Sequence, residues 1–134
     1  MKNKTENPIV FISSPYGHVN PVVVAQRIHH TKRYVAHLLN ANVQAISPTV
    51  YGHSIVTEYA IPGDWAFWQN FCLAYLLKSK EMHILCLDGW KESIGVKGEV
   101  LACIEAGITV YFVEHNTYEK YQPLPSELNA LFPA

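Results

Sequence analysis

The sequence predicts an α/β fold, a doubly wound three-layer sandwich around a mostly parallel sheet of four or five strands. Short apolar runs rich in β-branched residues recur at residues 9–12, 43–46, 82–87 and 108–113. Stretches with apolar residues at helical spacing lie between them, and turn-forming residues close most of the runs. Strands separated by helices pair in parallel through right-handed crossovers, so this alternation builds the layers.

Length and composition predict one domain. The chain has 134 residues, of which 49% are hydrophobic and 16% are charged, so it can bury a substantial core. We therefore expect one domain over residues 1–134, with its core at 9–113 and a tail at 114–134. Nothing in the sequence favours a second domain or an internal repeat.

Charge and cysteine usage exclude several classes of protein. The net charge is −1 with no basic stripe, which argues against a nucleic-acid polymer as partner. Cys72, Cys86 and Cys103 lie in apolar runs without C-x-x-C spacing, which favours buried thiols in a reducing compartment. The first residues are polar, and no apolar stretch approaches the roughly 20 residues that span a bilayer. We expect a cytoplasmic protein without membrane contact.

The first half of the chain predicts one strand–helix–strand unit. The strand at residues 9–12 stops at a polar loop over 13–18. A long helix begins at Pro21, a favoured first-turn residue, and its apolar positions recur at helical spacing as far as Leu39. Residues 40–42 end the helix before the second strand at 43–46.

The middle of the chain divides into a loop and an aromatic helix. Turn formers interrupt residues 49–63 repeatedly, so we expect a long loop with at most one helical turn, a candidate lid over a crevice. Asp64 can cap the next helix, whose broad apolar face runs from Trp65 to Leu77. That face is more typical of a core or subunit contact than of chemistry.

The second half predicts another crossover and a short tail. The strand at 82–87 leads through residues 88–99 into a helix at 100–106 that Gly107 ends, and the strand at 108–113 follows. The proline-bearing tail carries a short terminal helix that docks on the body or on a neighbouring subunit. The expected layout is Rossmann-like or flavodoxin-like.

Residues 88–99 are the strongest candidate for chemistry. Crossings at the carboxyl ends of parallel strands form the ligand crevice of such sheets, and Ser93 and Glu99 straddle the start of the helix. Glu99 shares its helix face with Val96 and Cys103, so it borders the apolar side. Burial would raise its pKa and the helix amides would oppose that rise, which leaves a nucleophile and a proton donor both open. The alternative is an ordinary solvated helix residue.

Other patterns are weaker or absent. The loop at 13–18 offers hydroxyls and backbone N–H groups that suit an anion, although it is also typical of an ordinary turn. Neither G-x-G-x-x-G nor a P-loop is present, and no G-x-S-x-G elbow appears. His29 and His37 share a helix face with no H-E-x-x-H motif, so solvated histidines are favoured over metal ligands. We expect no metal and no cofactor.

The order of the motifs resembles a known superfamily. The first strand ends in Ser-Pro-Tyr and the second in Ser-Pro, and an Asp-Trp-x-x-Trp helix follows. Gly-Trp-x-x-Ser-x-Gly-x-x-x-Glu then precedes a Gly-x-x-Val strand. Over residues 9–113 this order resembles the nucleoside 2-deoxyribosyltransferase superfamily. The chain is most similar to a small bacterial and phage branch of domains of unknown function, and more distantly to 2′-deoxynucleoside 5′-monophosphate N-glycosidases.

The resemblance implies cleavage or transfer at an N-glycosidic bond of a nucleoside, a nucleotide or a related ribosyl compound. The glutamate that matches Glu99 would attack the anomeric carbon, and water or a second base would open the glycosyl-enzyme. Asp88 or Asp64 would assist the leaving base, and Trp65 or Trp90 would stack on it. The candidate catalytic residues are Glu99, Asp88 and Tyr16. The candidate substrate-binding residues are Ser14, Pro15, Gly17, Asp64, Trp65, Trp90, Ser93 and Gly95.

Two departures from the family pattern keep other hypotheses open. The family's first-strand tyrosine aligns with Phe11, and Tyr16 replaces it only if the loop turns back. The helix aspartate near the base aligns with Cys72, and a lost acid–base group costs roughly 10²- to 10⁴-fold in rate. The alternatives are a nucleotide-binding protein without turnover and an interaction protein whose aromatic helix serves assembly. The resemblance also implies a homodimer or a larger assembly.

Overall fold

A five-stranded, mostly parallel sheet forms the centre of the protein. The computed structural model describes residues 7–134. The strands are β1 (Ile9–Ser13), β2 (Gln44–Ile46), β3 (Glu81–Leu85), β4 (Thr109–Val113) and β5 (Lys120–Tyr121). Their order across the sheet is β2-β1-β3-β4-β5, and β1 to β4 are parallel while β5 pairs antiparallel to β4. The predicted α/β class with its parallel sheet is confirmed.

Five helices cover the sheet. They are α1 (Pro21–Asn40), α2 (Pro48–Tyr59), α3 (Trp65–Leu76), α4 (Ile94–Ala106) and α5 (Pro125–Leu131). Pro21 begins α1 as predicted, and Asn20 caps that helix by accepting a hydrogen bond from the backbone N–H of Val22 at 2.9 Å. Among residues 7–134, no helix combines the length and the apolar character needed to cross a bilayer.

Alternation along β1 separates two hydrophobic cores, one on each face of the sheet. Val10 and Ile12 pack with Tyr34 and Leu38 of α1. Phe11 points to the opposite face. The buried residues of that second core from β3, α3, α4 and α5 include Met82, Ile84, Cys72, Leu76, Val100, Cys103, Leu128 and Phe132. The helices therefore lie in two layers with the sheet between them, a Rossmann-like sandwich.

The predicted loop over residues 49–63 is wrong, because most of it is helix α2. Ser47 is the N-cap, and its hydroxyl accepts a hydrogen bond from the backbone N–H of Val50 at 3.2 Å, with Pro48 at the first helical position. Gly52, which suggested a turn, lies under an aromatic ring instead. A Cβ there would come within 2.9 Å of Cη2 of Trp68, so the glycine permits close packing.

Smaller differences concern where elements begin. Helix α4 starts at Ile94, six residues before the predicted start at residue 100, because Ser93 caps it. Strand β5 was not predicted. The predicted terminal helix is α5, and the burial of Leu128 and Phe132 in the second core docks the tail on the body of the same chain.

The strand order defines where a ligand crevice forms. From β1 the chain passes to β2 on one side, and it later returns to place β3 on the other side of β1. The helices that follow β1 and β3 diverge from this point to opposite faces of the sheet. In open α/β sheets the crevice lies outside the carboxyl ends of the strands at such a switch point.

Candidate functional site

A cavity of about 1120 Å³ opens at the carboxyl ends of β1 and β3. It is lined by the loop after β1, the starts of α2 and α3, and the segment from β3 into α4. Its volume lies slightly above the range of roughly 300–1,000 Å³ that is usual for small-molecule sites. The polar side chains on the wall nearest α2, α3 and α4 are Ser14, Tyr16, Thr49, His53, Asp64, Ser93 and Glu99.

Glu99 is the carboxylate that the fold places deepest in this cavity. It lies in the second turn of α4, is 6% exposed, and still contributes to the cavity lining. The hydroxyl of Ser13, at the end of β1, donates a hydrogen bond to Oε1 of Glu99 at 2.7 Å. Ser13 follows Phe11 on the same face of β1, so strand alternation directs it towards α4.

Burial controls the ionisation of Glu99. Removal from water raises the pKa of Glu99 to about 8, while the Ser13 hydroxyl and the nearby Cys72 thiol oppose the rise. At neutral pH the carboxyl group therefore carries a proton in most molecules. The Cys72 thiol stays protonated as well, because burial and the neighbouring Glu99 raise its pKa.

The loop after β1 is held by hydroxyl contacts. Ser14 Oγ lies 3.2 Å from Thr49 Oγ1, and the Thr31 hydroxyl lies 3.3 Å from Ser14 Oγ. These contacts tie the loop to α2 and α1 and leave Ser14 largely buried. The Ser14 side chain therefore borders the cavity in a fixed orientation. Gly17 lines the cavity with it, whereas Pro15 is buried and is not part of the lining.

Tyr16 turns towards α2 rather than towards Glu99. Its hydroxyl is hydrogen-bonded to Nδ1 of His53 at 2.8 Å, and the two rings meet edge to face. Partial burial raises the pKa of Tyr16, so the phenol remains neutral. Tyr16 lines the cavity, but the hydroxyl hydrogen-bonded to Glu99 belongs to Ser13.

Arg27 joins the two loops of the switch point. Its guanidinium donates to the carbonyl oxygen of Gly17 at 2.8 Å and to that of Asp88 at 3.0 Å. Gly89 has a φ of 89°, and a Cβ at that position would lie 2.5 Å from Nη2 of Arg27. The bridge therefore needs a glycine there. The exposed Asp88 side chain lines the cavity beside it.

Trp65 packs against the start of α4. A Cβ on Gly98 would collide with Cζ2 of Trp65, and one on Gly95 would lie 3.6 Å from Cε3 of the same ring. The indole therefore rests on helix backbone one residue before Glu99 and also lines the cavity. Trp90, the second predicted stacking residue, lies elsewhere. Its ring packs against Phe112 of β4 and Phe132 after α5, and it is not part of the cavity lining.

Asp64 and Ser93 lie at the starts of α3 and α4. The Ser93 hydroxyl accepts a hydrogen bond from the backbone N–H of Val96 at 3.2 Å, which fixes its orientation at the cavity wall. Asp64 occupies the N-cap position of α3 and lines the cavity, but its side chain makes no capping hydrogen bond. Within residues 7–134, no cluster of three His, Cys, Asp or Glu side chains is arranged to hold a metal ion.

The structure thus brings most of the predicted site residues to one cavity and leaves two outside its lining. Those on the lining are Glu99, Asp88, Tyr16, Ser14, Gly17, Asp64, Trp65, Ser93 and Gly95. Pro15 and Trp90 are the two outside. Sequence reasoning missed Ser13, Arg27 and His53. Alternation from Phe11 could have found Ser13, whereas no local pattern identifies the other two.

Comparison with protein families finds one matching domain family. Residues 8–115 match the family described as a domain of unknown function (DUF1937), a span that includes β1 to β4 and the cavity residues named above. Comparison with curated proteins finds no matching relative. The match extends over well more than half of the 134 residues. The chain therefore belongs to the DUF1937 family.

Proposed function

We propose that this protein cleaves or transfers at the N-glycosidic bond of a nucleoside or nucleotide, with Glu99 as the nucleophile. The observation that supports the proposal best is the shared cavity. The Glu99 carboxyl group, hydrogen-bonded by Ser13, faces the same space as the loop of residues 14–17. A sugar held by that loop would present its anomeric carbon to a carboxylate that is already oriented.

The first step forms a covalent ester. Oε2 of ionised Glu99 attacks the anomeric carbon, the bond from that carbon to the base nitrogen breaks, and the electron pair leaves with the base. A proton donated to the departing base neutralises it. Asp64 and Asp88 both line the cavity and are the candidate donors. Water or a second base then attacks the same carbon and releases Glu99.

Because the pKa of Glu99 is raised, the carboxyl group must lose its proton before it can attack. With a pKa of about 8, roughly one molecule in ten carries the ionised form at pH 7. Positive charge that develops on the sugar ring in the transition state favours the ionised form. The Ser13 hydrogen bond acts in the same direction, since it stabilises the carboxylate.

A second candidate is a nucleotide-binding protein without turnover. The observation that favours it is that Glu99 is largely protonated and lies beside the Cys72 thiol. The family that the chain resembles has an aspartate at the position of Cys72. A protonated carboxyl group donates a hydrogen bond to a ligand but does not attack carbon. The cavity would then sequester its ligand.

A panel of compounds distinguishes the two candidates. The protein is incubated with nucleosides, their 5′-monophosphates and NAD, and released base is measured by chromatography. Base release, together with a protein mass increased by one glycosyl group after rapid quenching, supports catalysis by Glu99. A ligand that raises the melting temperature without base release supports the binding protein. If neither occurs with any compound, both candidates are wrong.

A further inference from the structure

Histidines that have no role in the proposed reaction also line the cavity. They are His18, His30, His53 and His115. His53 lies on α2, on the wall that it shares with Glu99. Imidazole is the side chain that takes up and releases a proton between about pH 5 and pH 8, which suits it to proton transfer at neutral pH. A histidine on the wall of Glu99 is therefore a candidate partner in the reaction.

The other three histidines are less suited to donating a proton. Nδ1 of His18 accepts a hydrogen bond from the backbone N–H of Asn20 at 2.9 Å, within its own turn. Burial lowers the pKa of His30, and repulsion from His115 and other basic neighbours lowers it further. The rings of His30 and His115 have centroids 5.5 Å apart, so a proton on either ring disfavours a proton on the other. Protonated imidazole, the form that a donor requires, is therefore disfavoured in this pair.

The imidazole of His53 is held by the protein at one nitrogen. Its Nδ1 is hydrogen-bonded to the Tyr16 hydroxyl at 2.8 Å, and the two rings meet edge to face with centroids 5.6 Å apart. Among residues 7–134, no group is hydrogen-bonded to Nε2 of His53, and every buried side-chain nitrogen in that range has a partner. Nε2 is therefore accessible to solvent or to a ligand, while Tyr16 fixes the opposite side of the ring.

We propose that His53 donates the proton to the leaving base and that Tyr16 positions it, an assignment that rests on the proposed function. In the protonated ring, Nδ1–H donates to the Tyr16 oxygen, and Nε2–H remains for the base. His53 takes this role in place of Asp64 and Asp88. Both aspartates are exposed, and an exposed carboxyl group holds a proton in few molecules at neutral pH.

Protons and electrons balance over the whole cycle. As Oε2 of Glu99 bonds to the anomeric carbon, the bond from that carbon to the base nitrogen breaks, and its electron pair takes the proton of Nε2. The imidazole is then neutral, with its remaining proton on Nδ1 and donated to Tyr16. When water opens the ester, Nε2 accepts a proton from that water, the sugar keeps the hydroxyl group, and Glu99 leaves ionised. Water is the one co-reactant.

Substrates with different leaving bases test the donor directly. The neutral bases of the nucleoside panel leave with a surplus electron pair and need a proton. The bases of 7-methylguanosine and nicotinamide riboside are cationic while bonded to the sugar, so they leave as neutral molecules without one. The variants are His53→Ala and, in case it fails to fold, His53→Gln. His29→Ala is the matched control, because His29 is exposed and lies outside the cavity lining.

We expect His53→Ala to lower kcat/KM for neutral bases by roughly 10²- to 10⁴-fold and to leave the values for the two cationic bases close to those of the wild-type protein. His29→Ala should match the wild-type protein with both classes. Equal losses with both classes, or no loss with either, would overturn His53 as the donor, while base release by the wild-type protein would keep the proposed function. If the wild-type protein releases no base from any compound, the proposed function fails and the donor fails with it.

The contact with Tyr16 is tested without turnover. In nitrogen NMR of isotope-labelled histidines, the Nδ1 resonance of His53 should move in Tyr16→Phe, which lacks the hydroxyl, and the resonances of His29 should not move. The same variant should lower kcat/KM more for neutral bases than for cationic bases, whereas loss of a merely structural contact would lower both equally. An unchanged His53 resonance in Tyr16→Phe would overturn the positioning role.

Discussion

Glu99 and His83 are both buried ionisable residues, yet their surroundings differ. Glu99 is 6% exposed and lines the large cavity, and its carboxyl group accepts a hydrogen bond from the Ser13 hydroxyl. His83 is 2% exposed on the opposite face of the sheet. Its Nδ1 lies 2.6 Å from the Tyr34 hydroxyl, and its Nε2 is hydrogen-bonded to Glu81. Both ring nitrogens are therefore engaged by protein groups.

The contrast shows what distinguishes a candidate site from a structural network. His83 also borders a cavity, of about 430 Å³, but its imidazole has no nitrogen free for a ligand. A carboxyl group has two oxygens and about four acceptor positions, so Glu99 has capacity beyond its bond from Ser13. Burial raises the energy of an ionised group at either place. Remaining hydrogen-bonding capacity towards a cavity is the property that the proposed chemistry at Glu99 requires.

Substitution of each residue by glutamine should give the largest difference between the two regions. Glu99→Gln removes the proposed nucleophile and should lower kcat/KM by at least about 10³-fold. His83→Gln should leave kcat/KM close to that of the wild-type protein, because His83 lies outside the large cavity. Base release is the measurement, and Glu105→Gln on the exposed side of α4 is the matched control. Equal losses in the two variants would contradict the contrast.

Glu99 and His83 should contribute to the pH dependence of stability with opposite signs. The pKa of Glu99 rises from 4.5 to about 8 on folding, so the folded protein keeps a proton that the unfolded chain releases. Its contribution is complete below pH 4.5 and declines as the pH rises to about 8, by roughly 5 kcal/mol in all. Burial lowers the pKa of His83 below 6.5, although the Glu81 contacts oppose this. That contribution is present above pH 6.5 and is lost as the pH falls.

Denaturant unfolding of three proteins checks these signs. The difference in unfolding free energy between the wild-type protein and Glu99→Gln should decrease as the pH rises from about 5 to about 8. The difference between the wild-type protein and His83→Gln should instead decrease as the pH falls through 6.5. Slopes of the same sign for both variants would show that at least one residue has a different ionisation state.

The Tyr34–His83 contact should matter for stability alone. Tyr34→Phe leaves a buried ring nitrogen of His83 without its partner, which costs about 1–3 kcal/mol. A fall in melting temperature of several degrees is expected, with kcat/KM unchanged. Tyr59→Phe is the control, since Tyr59 is 74% exposed. Equal stability of the two variants would mean that water replaces the lost hydroxyl.

Sequence patterns predicted more of the fold than of the contacts within the site. Periodicity placed α1, α3 and the buried face of α4, and it put Glu99 on that face with Val96 and Cys103. Helix α2 was missed because Gly52 and β-branched residues weaken the helical pattern. Only the packing of Trp68 against α2 explains a glycine there. Ser47-Pro48 was interpreted as the end of a strand, although it also begins the helix.

The site contacts depend on distances that local patterns do not contain. Ser13 and Glu99 are separated by 86 positions and meet because β1 and α4 converge at the switch point. Arg27 lies in α1, and no local sequence pattern singled it out. Its long side chain reaches two carbonyl oxygens on neighbouring loops. Pairing of β1 with β3 brings those loops together, and that pairing is a property of the whole sheet.

The smallest effect is expected for Ser13→Ala, which tests how Ser13 acts on Glu99. Ser13→Ala removes the hydroxyl that stabilises ionised Glu99, so the pKa of Glu99 should rise further. The acid limb of the kcat/KM profile should move up by about one pH unit, and the rate at high pH should stay near the wild-type value. Ser54→Ala, an exposed serine on α2, is the control.

A merely structural Ser13 would give a different result. If the hydroxyl only holds α4 against β1, Ser13→Ala should lower stability and scale down kcat/KM equally at every pH. If Ser13 positions the carboxylate and favours its ionised form, the loss should be confined to the acid side and should disappear as Glu99 ionises without help. Ser13→Thr, which restores a hydroxyl at the same position, should return the acid limb towards its wild-type pH. A profile that shifts in Ser13→Ala and returns in Ser13→Thr therefore links the end of β1 to the ionisation of Glu99.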